Sequence, residues 1–219
     1  MKRLQILFSA AALCVVMTGG AAAQLVQGRD YMPLEPPQPT EDSKKIEVIE
    51  FFWYGCIHCY HLEPPLNAWL KRKPSYVEFR RVPAIFNPAW MPLSRTFYTL
   101  EALGVTDKYH AALFDAIHKE GKKDLVTDVN AIADWLASKG LDRQKFMDAY
   151  NSFTVNARTQ RAVEMTGNYN IDGTPTLVVN GKYLIAPSMD GYASGGQVDY
   201  VAFFHGVDQL IAQEHKGHK

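Results

Sequence analysis

The stretch Glu50-Phe51-Phe52-Trp53-Tyr54-Gly55-Cys56-Ile57-His58-Cys59-Tyr60 decides how this chain is read. An apolar, aromatic run passes through a glycine into two cysteines spaced Cys-x-x-Cys. The run reads as a strand and the cysteines as the opening turn of a helix. Unpaired backbone N–H groups and the helix dipole favour negative charge at that point, so Cys56 is expected to ionise readily. A stabilised thiolate both attacks and leaves easily, which thiol–disulfide exchange requires. Cys59 is near enough to resolve a mixed disulfide. His58, between them, can donate to the Cys56 sulfur or pair with its charge. Each pKa unit of thiolate stabilisation is worth roughly 1.4 kcal/mol, so a shift of about three would favour the dithiol by roughly 4 kcal/mol and make the disulfide oxidising.

Working outward, Ile46–Tyr54 is dense in β-branched and aromatic residues and reads as a buried central strand. Glu50 interrupts it. Such an acid either faces an edge or a cation, or lies buried below the cysteines, where it relays protons or tunes a thiol. Cys56–Lys73 reads as a helix containing Pro64-Pro65, which should kink it. Tyr76–Val82 alternates apolar and polar residues, so strand, helix and strand make a βαβ unit with parallel strands. The pattern from 89 to 167 is helical, with candidate helices at Met91–Leu103, Asp107–Lys119, Thr127–Lys139, Asp142–Tyr150 and Thr154–Asn168. Strand patterning then resumes at Leu177–Val179 and Lys182–Ile185, separated by Asn180-Gly181, a strong hairpin signal. Val198–Gln213 is a final amphipathic helix. The expected organisation is an α/β domain of residues 24–88 and 168–219, interrupted by an all-helical domain of residues 89–167.

Residues 1–23 carry a positive start (Lys2, Arg3), an apolar run and Ala21-Ala22-Ala23, the pattern of a secretory signal peptide cut before Gln24. Its apolar run is short for a membrane span. Removal leaves 196 of the 219 residues, takes Cys14 with it, and brings the formal net charge from zero to −2. The hydrophobic content of 47% excludes a disordered chain, and the charge gives no reason to expect nucleic acid as a partner. Two cysteines in an exported chain are expected to pair as Cys56–Cys59. A bridge that short removes little chain entropy, which argues for chemistry over stapling. Gln24–Lys45 is a lead-in whose prolines (Pro33, Pro36, Pro37, Pro39) confine any strand, such as Tyr31–Leu34, to an edge. Pro175 lies just before a strand. A cis Thr174-Pro175 bond would present the Thr174 backbone to an extended peptide beside the cysteines.

The combination of FFWYGCIHCYHLE, the helical insertion and GTPTLVVNGKY resembles the DsbA-type thiol:disulfide interchange proteins of the bacterial periplasm, within the thioredoxin-like superfamily. The resemblance implies a thioredoxin-like fold with an inserted all-helical domain. It implies Cys56 as the attacking, solvent-facing cysteine, Cys59 as the buried one, Glu50 as the buried acid and Thr174-Pro175 as the cis-proline loop. It further implies disulfide donation to exported proteins, with reoxidation by a quinone-linked DsbB-type membrane protein; a monomer without cofactor is the default expectation. Two positions depart from the best-known members: Ile57 stands where they have proline, and Thr174 where they have valine. The family's lysine near the buried acid has no evident counterpart; Arg80 and Arg81 are the nearby candidates.

Three other classes compete. A disulfide reductase or isomerase would use the same cysteines, although no dimerisation domain is evident. A metal-binding module would need ligands beyond Cys56, Cys59, His58 and His61, which crowd one helical turn, and no second cysteine pair exists. A cysteine hydrolase would need His110 or His118 as base, and Cys59 would trap its nucleophile as a disulfide.

Overall fold

The structure, a computed structural model, describes residues 24–217; the expected leader, its cut and Cys14 lie outside the described residues. Its central strand is β2 (Ile46–Phe52), buried at every position as its composition demands. It pairs parallel with β3 (Val77–Pro83) and antiparallel with β4 (Thr176–Val179). From β4 the chain turns into β5 (Tyr183–Ile185), and β1 (Met32–Pro33) covers the edge, giving the order β1-β5-β4-β2-β3. The β4–β5 turn places Asn180 at φ 53° and Gly181 at φ 64°, the left-handed pair that Asn-Gly accommodates. A side chain at Gly181 would also collide with the Gln38 carbonyl of the proline-rich lead-in.

Helix α1 (Ile57–Leu70) carries the crossover from β2 to β3, with Pro64 and Pro65 inside it. Between β3 and β4 the chain runs through α2 (Met91–Ala102), α3 (Thr106–His118), α4 (Val129–Ser138), α5 (Arg143–Tyr150) and α6 (Phe153–Asn168). Asp128, Asp142 and Ser152 cap the last three by accepting backbone N–H bonds. A short hairpin of β6 (Ala193–Ser194) and β7 (Gln197–Val198) leads into α7 (Tyr200–Gly217), which returns to the sheet.

Side chains of a strand alternate between its faces, and β2 thereby separates two cores. Ile49 and Phe51 join Leu93, Phe97, Leu113 and Phe114 of the helical segment. Ile46 and Val48 join Leu62, Leu66 and Trp69 of α1 and Phe203 and Val207 of α7. Glu50 takes the next even position, on the side of α1, and is fully buried. The sheet therefore carries an acid into the space under the first turn of α1.

Candidate active site

Cys56 is the N-cap of α1, with φ −88° and ψ 117°. The chain reaches it from β2 through a turn in which the Trp53 ring lies across Gly55, so closely that a Cβ there would clash. Trp53 is itself stacked on Trp90, with ring centroids 3.9 Å apart. The neutral Cys56 thiol donates to the Thr174 carbonyl at 3.2 Å, and the Thr174-Pro175 bond is cis. Both cysteines are free thiols here, Cys56 half-buried and Cys59 fully buried.

The two sulfurs differ sharply in acidity. The hydrogen bond from the Cys59 thiol is the chief reason the Cys56 pKa falls from 9.0 to about 5. Burial opposes that fall, while the Thr174 side chain and the backbone N–H groups of Cys59 and His58 add to it. Those N–H groups belong to the open end of α1, where an anion is favoured. The bond to the Thr174 carbonyl is lost on ionisation and works against the thiolate. At pH 7 the thiolate outnumbers the thiol by about 100 to 1. Burial, followed by the bond it donates to Cys56, pushes the Cys59 thiol well above its ordinary value. The His58 ring is exposed, and the backbone N–H of that residue favours the thiolate.

Beneath the cysteines lies a chain of buried polar groups. Arg81 stands opposite Glu50 in the β2–β3 register, and its Nε donates to Glu50 Oε2 at 2.9 Å. Its other arm donates to Glu63 Oε1 on α1 at 3.0 Å. His110 of α3 meets the same oxygen through Nε2 at 3.2 Å, and its Nδ1 lies 2.7 Å from the Tyr54 hydroxyl. Burial raises the Glu50 pKa to about 8 despite Arg81. Glu63 is buried too, but His110 and Arg81 together hold its pKa below the ordinary value. The cluster thus has one acid arranged to keep its proton and one arranged to lose it.

The DSBA-like thioredoxin domain family matches residues 81–195 of the chain. The chain belongs to this family. It is 47% identical over 192 residues to the thiol:disulfide interchange protein DsbA of Azotobacter vinelandii, covering 88% of this chain and 86% of that one. It is 42% identical over 188 residues to that of Burkholderia cepacia, covering 85% and 88%. The crystal structure of Pseudomonas aeruginosa DsbA superposes with a TM-score of 0.78 at 39% identity, covering 87% of this chain and 94% of that one. The fold is accordingly the thioredoxin-like fold of the DsbA family, with seven α-helices among the described residues. These relatives support a thiol:disulfide oxidoreductase, the enzyme class to which the cysteine pair pointed.

Where the best-known DsbA-type proteins have lysine, Arg81 of this member of the family accompanies the buried acid; Arg80 instead pairs with Glu47 at 2.9 Å. Sequence reasoning passed over Glu63. Its four-residue spacing from Cys59 was the available signal, since residues i and i+4 share a helix face. His110 and Tyr54 lie 56 positions apart, and nothing local in the sequence connects them. His118 engages the Tyr54 carbonyl at 2.7 Å, so both histidines considered for a hydrolase have other partners. Beside the cysteines, a groove of about 220 Å³ is lined by His58, Thr174, Pro175, Pro187, Val198 and Tyr200.

Proposed function

We propose that the chain is a thiol–disulfide oxidase, donating the Cys56–Cys59 disulfide to exported proteins through a mixed disulfide. The observation that carries this reading is the opposed acidity of the two sulfurs, a half-exposed acidic thiol over a buried, weakly acidic one. A substrate thiolate attacks Cys56 Sγ, the Cys56–Cys59 bond breaks, and its electron pair goes to Cys59. Cys59 takes a proton from Glu50, which regains one from water. A second substrate thiolate then attacks the substrate sulfur of the mixed disulfide and expels Cys56 as a stable thiolate. Two electrons remain on the dithiol, and a quinone-linked DsbB-type membrane protein removes them. The Thr174 backbone, next to the cis bond, pairs with the extended substrate, and the neighbouring groove receives its side chains. His58 supports the thiolate through its N–H and, as a positive edge at the helix start, through its ring.

In this reading the protein acts as a monomer in the periplasm, exported by a leader cut between Ala23 and Gln24. Residues 24–88 and 168–219 form the thioredoxin-like domain and residues 89–167 the inserted helical one.

Equilibration with glutathione buffers tests the direction of exchange. An oxidase is reduced at far lower thiol concentration than a reductase, and a reductase-like midpoint refutes the proposal. Cys56→Ser abolishes exchange. Cys59→Ala accumulates covalent complexes with exported proteins, visible on non-reducing gels, and their absence under oxidising conditions refutes the assignment of roles. His58→Leu keeps the N–H and removes the ring. It raises the Cys56 titration midpoint; an unchanged midpoint leaves the N–H as that residue's whole contribution.

A further inference from the structure

Two members of the buried cluster, Tyr54 and His110, have no part in the exchange steps above. The His110 ring is 7% exposed and packed edge-on against Phe52 and Phe114. The polar groups facing it come from every neighbouring element. Tyr54 reaches it from the turn before α1, Glu63 from α1, Arg81 from β3 and Asp107 from its own helix. Burial, aided by Arg81, outweighs Glu63 and Asp107, so the imidazole is neutral near pH 7. A neutral imidazole carries one N–H. An ionised Glu63 only accepts, and burial keeps the proton on the Tyr54 phenol. The imidazole proton is therefore on Nε2, pointing at Glu63, while Nδ1 accepts from Tyr54.

We propose that His110, locked in this tautomer by Tyr54, is a positioning residue: by donating to Glu63 it makes Glu63 the ionised partner of Arg81 and leaves the cluster's exchangeable proton on Glu50, beneath Cys59. One guanidinium and two carboxyl groups out of water are neutral only when one acid holds a proton. Glu63 Oε1 accepts from both Arg81 and His110, and its Oε2 accepts from Asn67 at 3.3 Å. Among the described residues Glu50 accepts from Arg81 alone, and its Oε1 has no partner. The unequal supply of donors decides which acid ionises, and His110 provides part of the excess. This role rests on the exchange reading, in which the Glu50 proton is the one delivered to Cys59.

Carboxyl titration by ¹³C NMR of glutamate-labelled protein, with ultraviolet titration of the Cys56 thiolate, tests it in the full chain. His110→Leu lowers the Glu50 midpoint from about 8 by about one pH unit, the worth of one hydrogen bond to a charged group, and raises that of Glu63. The Cys56 midpoint, near 5, stays where it is, because Glu50 still holds its proton at that pH. His110→Gln, whose carboxamide can still donate to Glu63, restores both carboxyl midpoints. Unmoved Glu50 and Glu63 midpoints in a folded His110→Leu protein overturn the proposal, as do equal shifts in the Leu and Gln variants, which would mark a packing role. If His110→Leu does not fold, Tyr54→Phe decides. Freed to change tautomer, His110 gives less to Glu63 and the Glu50 midpoint falls; an unmoved midpoint overturns the proposal. Failure of the exchange reading is a separate result: a wild-type protein that does not oxidise a peptide dithiol while the carboxyl titrations still move as described.

Discussion

Cys56 and Cys59 sit on one helical turn, yet their thiols are driven in opposite directions. The upper sulfur responds chiefly to what is close in sequence: the neighbouring thiol and the N–H groups of a helix start. The lower one responds chiefly to burial, which distant parts of the chain supply, with Cys56 and then Glu50 adding to it. One helical turn thus lowers one pKa cheaply, with a neighbouring thiol helped by backbone N–H groups, whereas raising the other needs a built interior. Each layer widens the gap between the sulfurs, and the gap is what an oxidising disulfide consists of.

The lower layer should break hardest. Arg81→Met leaves Glu50 and Glu63 buried without their cation and is expected to destabilise the protein by about 3–5 kcal/mol, read from urea unfolding. Glu50→Gln keeps an acceptor for Arg81 and removes an acid that is already protonated near neutral pH, so it should cost far less. Equal losses in the two variants would mean that Glu50 is charged in the folded protein, and that the division of labour between Glu50 and Glu63 is wrong.

The upper layer should show itself in pH dependence. The Cys56 pKa in the folded dithiol, about 5, is depressed below the 9.0 of an unhindered thiol. A depressed group contributes stability that is complete above the unfolded value and lost as pH falls through the folded one. The reduced protein should therefore gain on the oxidised protein steadily from pH 5 to pH 9. By pH 7 the gain has reached about half of its full value. Glu50 is present in both redox forms and largely cancels from the difference. Paired unfolding curves of the two forms check this, and a difference that is flat across that range would place the Cys56 pKa near its ordinary value.

How much of this was legible in the sequence follows the same division. The strand, the glycine, the cysteines and the helix start are contiguous, so the redox turn could be read from eleven residues. The Asn180-Gly181 hairpin was legible for the same reason: its signal is a local backbone requirement. Glu50 was legible as an oddity in an apolar strand, but its cation was not. Choosing Arg81 over Arg80 depends on strand register and on which face each side chain takes, and adjacent residues on a strand face opposite ways. Glu63 reads in isolation as an ordinary exposed acid on a helix. His110 acquires its meaning only from Tyr54 and Glu63, which tertiary packing supplies.

The finest test concerns the ranking of influences on Cys56. Thr174 contributes twice with opposite sign: its carbonyl holds the neutral thiol and its side chain favours the thiolate. Thr174→Val removes the hydroxyl, keeps the carbonyl and preserves a β-branched shape beside the cis bond. The Cys56 midpoint should rise, by less than about one pH unit, since one neutral donor is lost. Cys59→Ala deletes the donor that ranks first and should raise the midpoint further than Thr174→Val does. If the two variants are reversed in order, the helix turn is not the principal source of the thiolate's stability, and the loop carrying the cis bond takes its place.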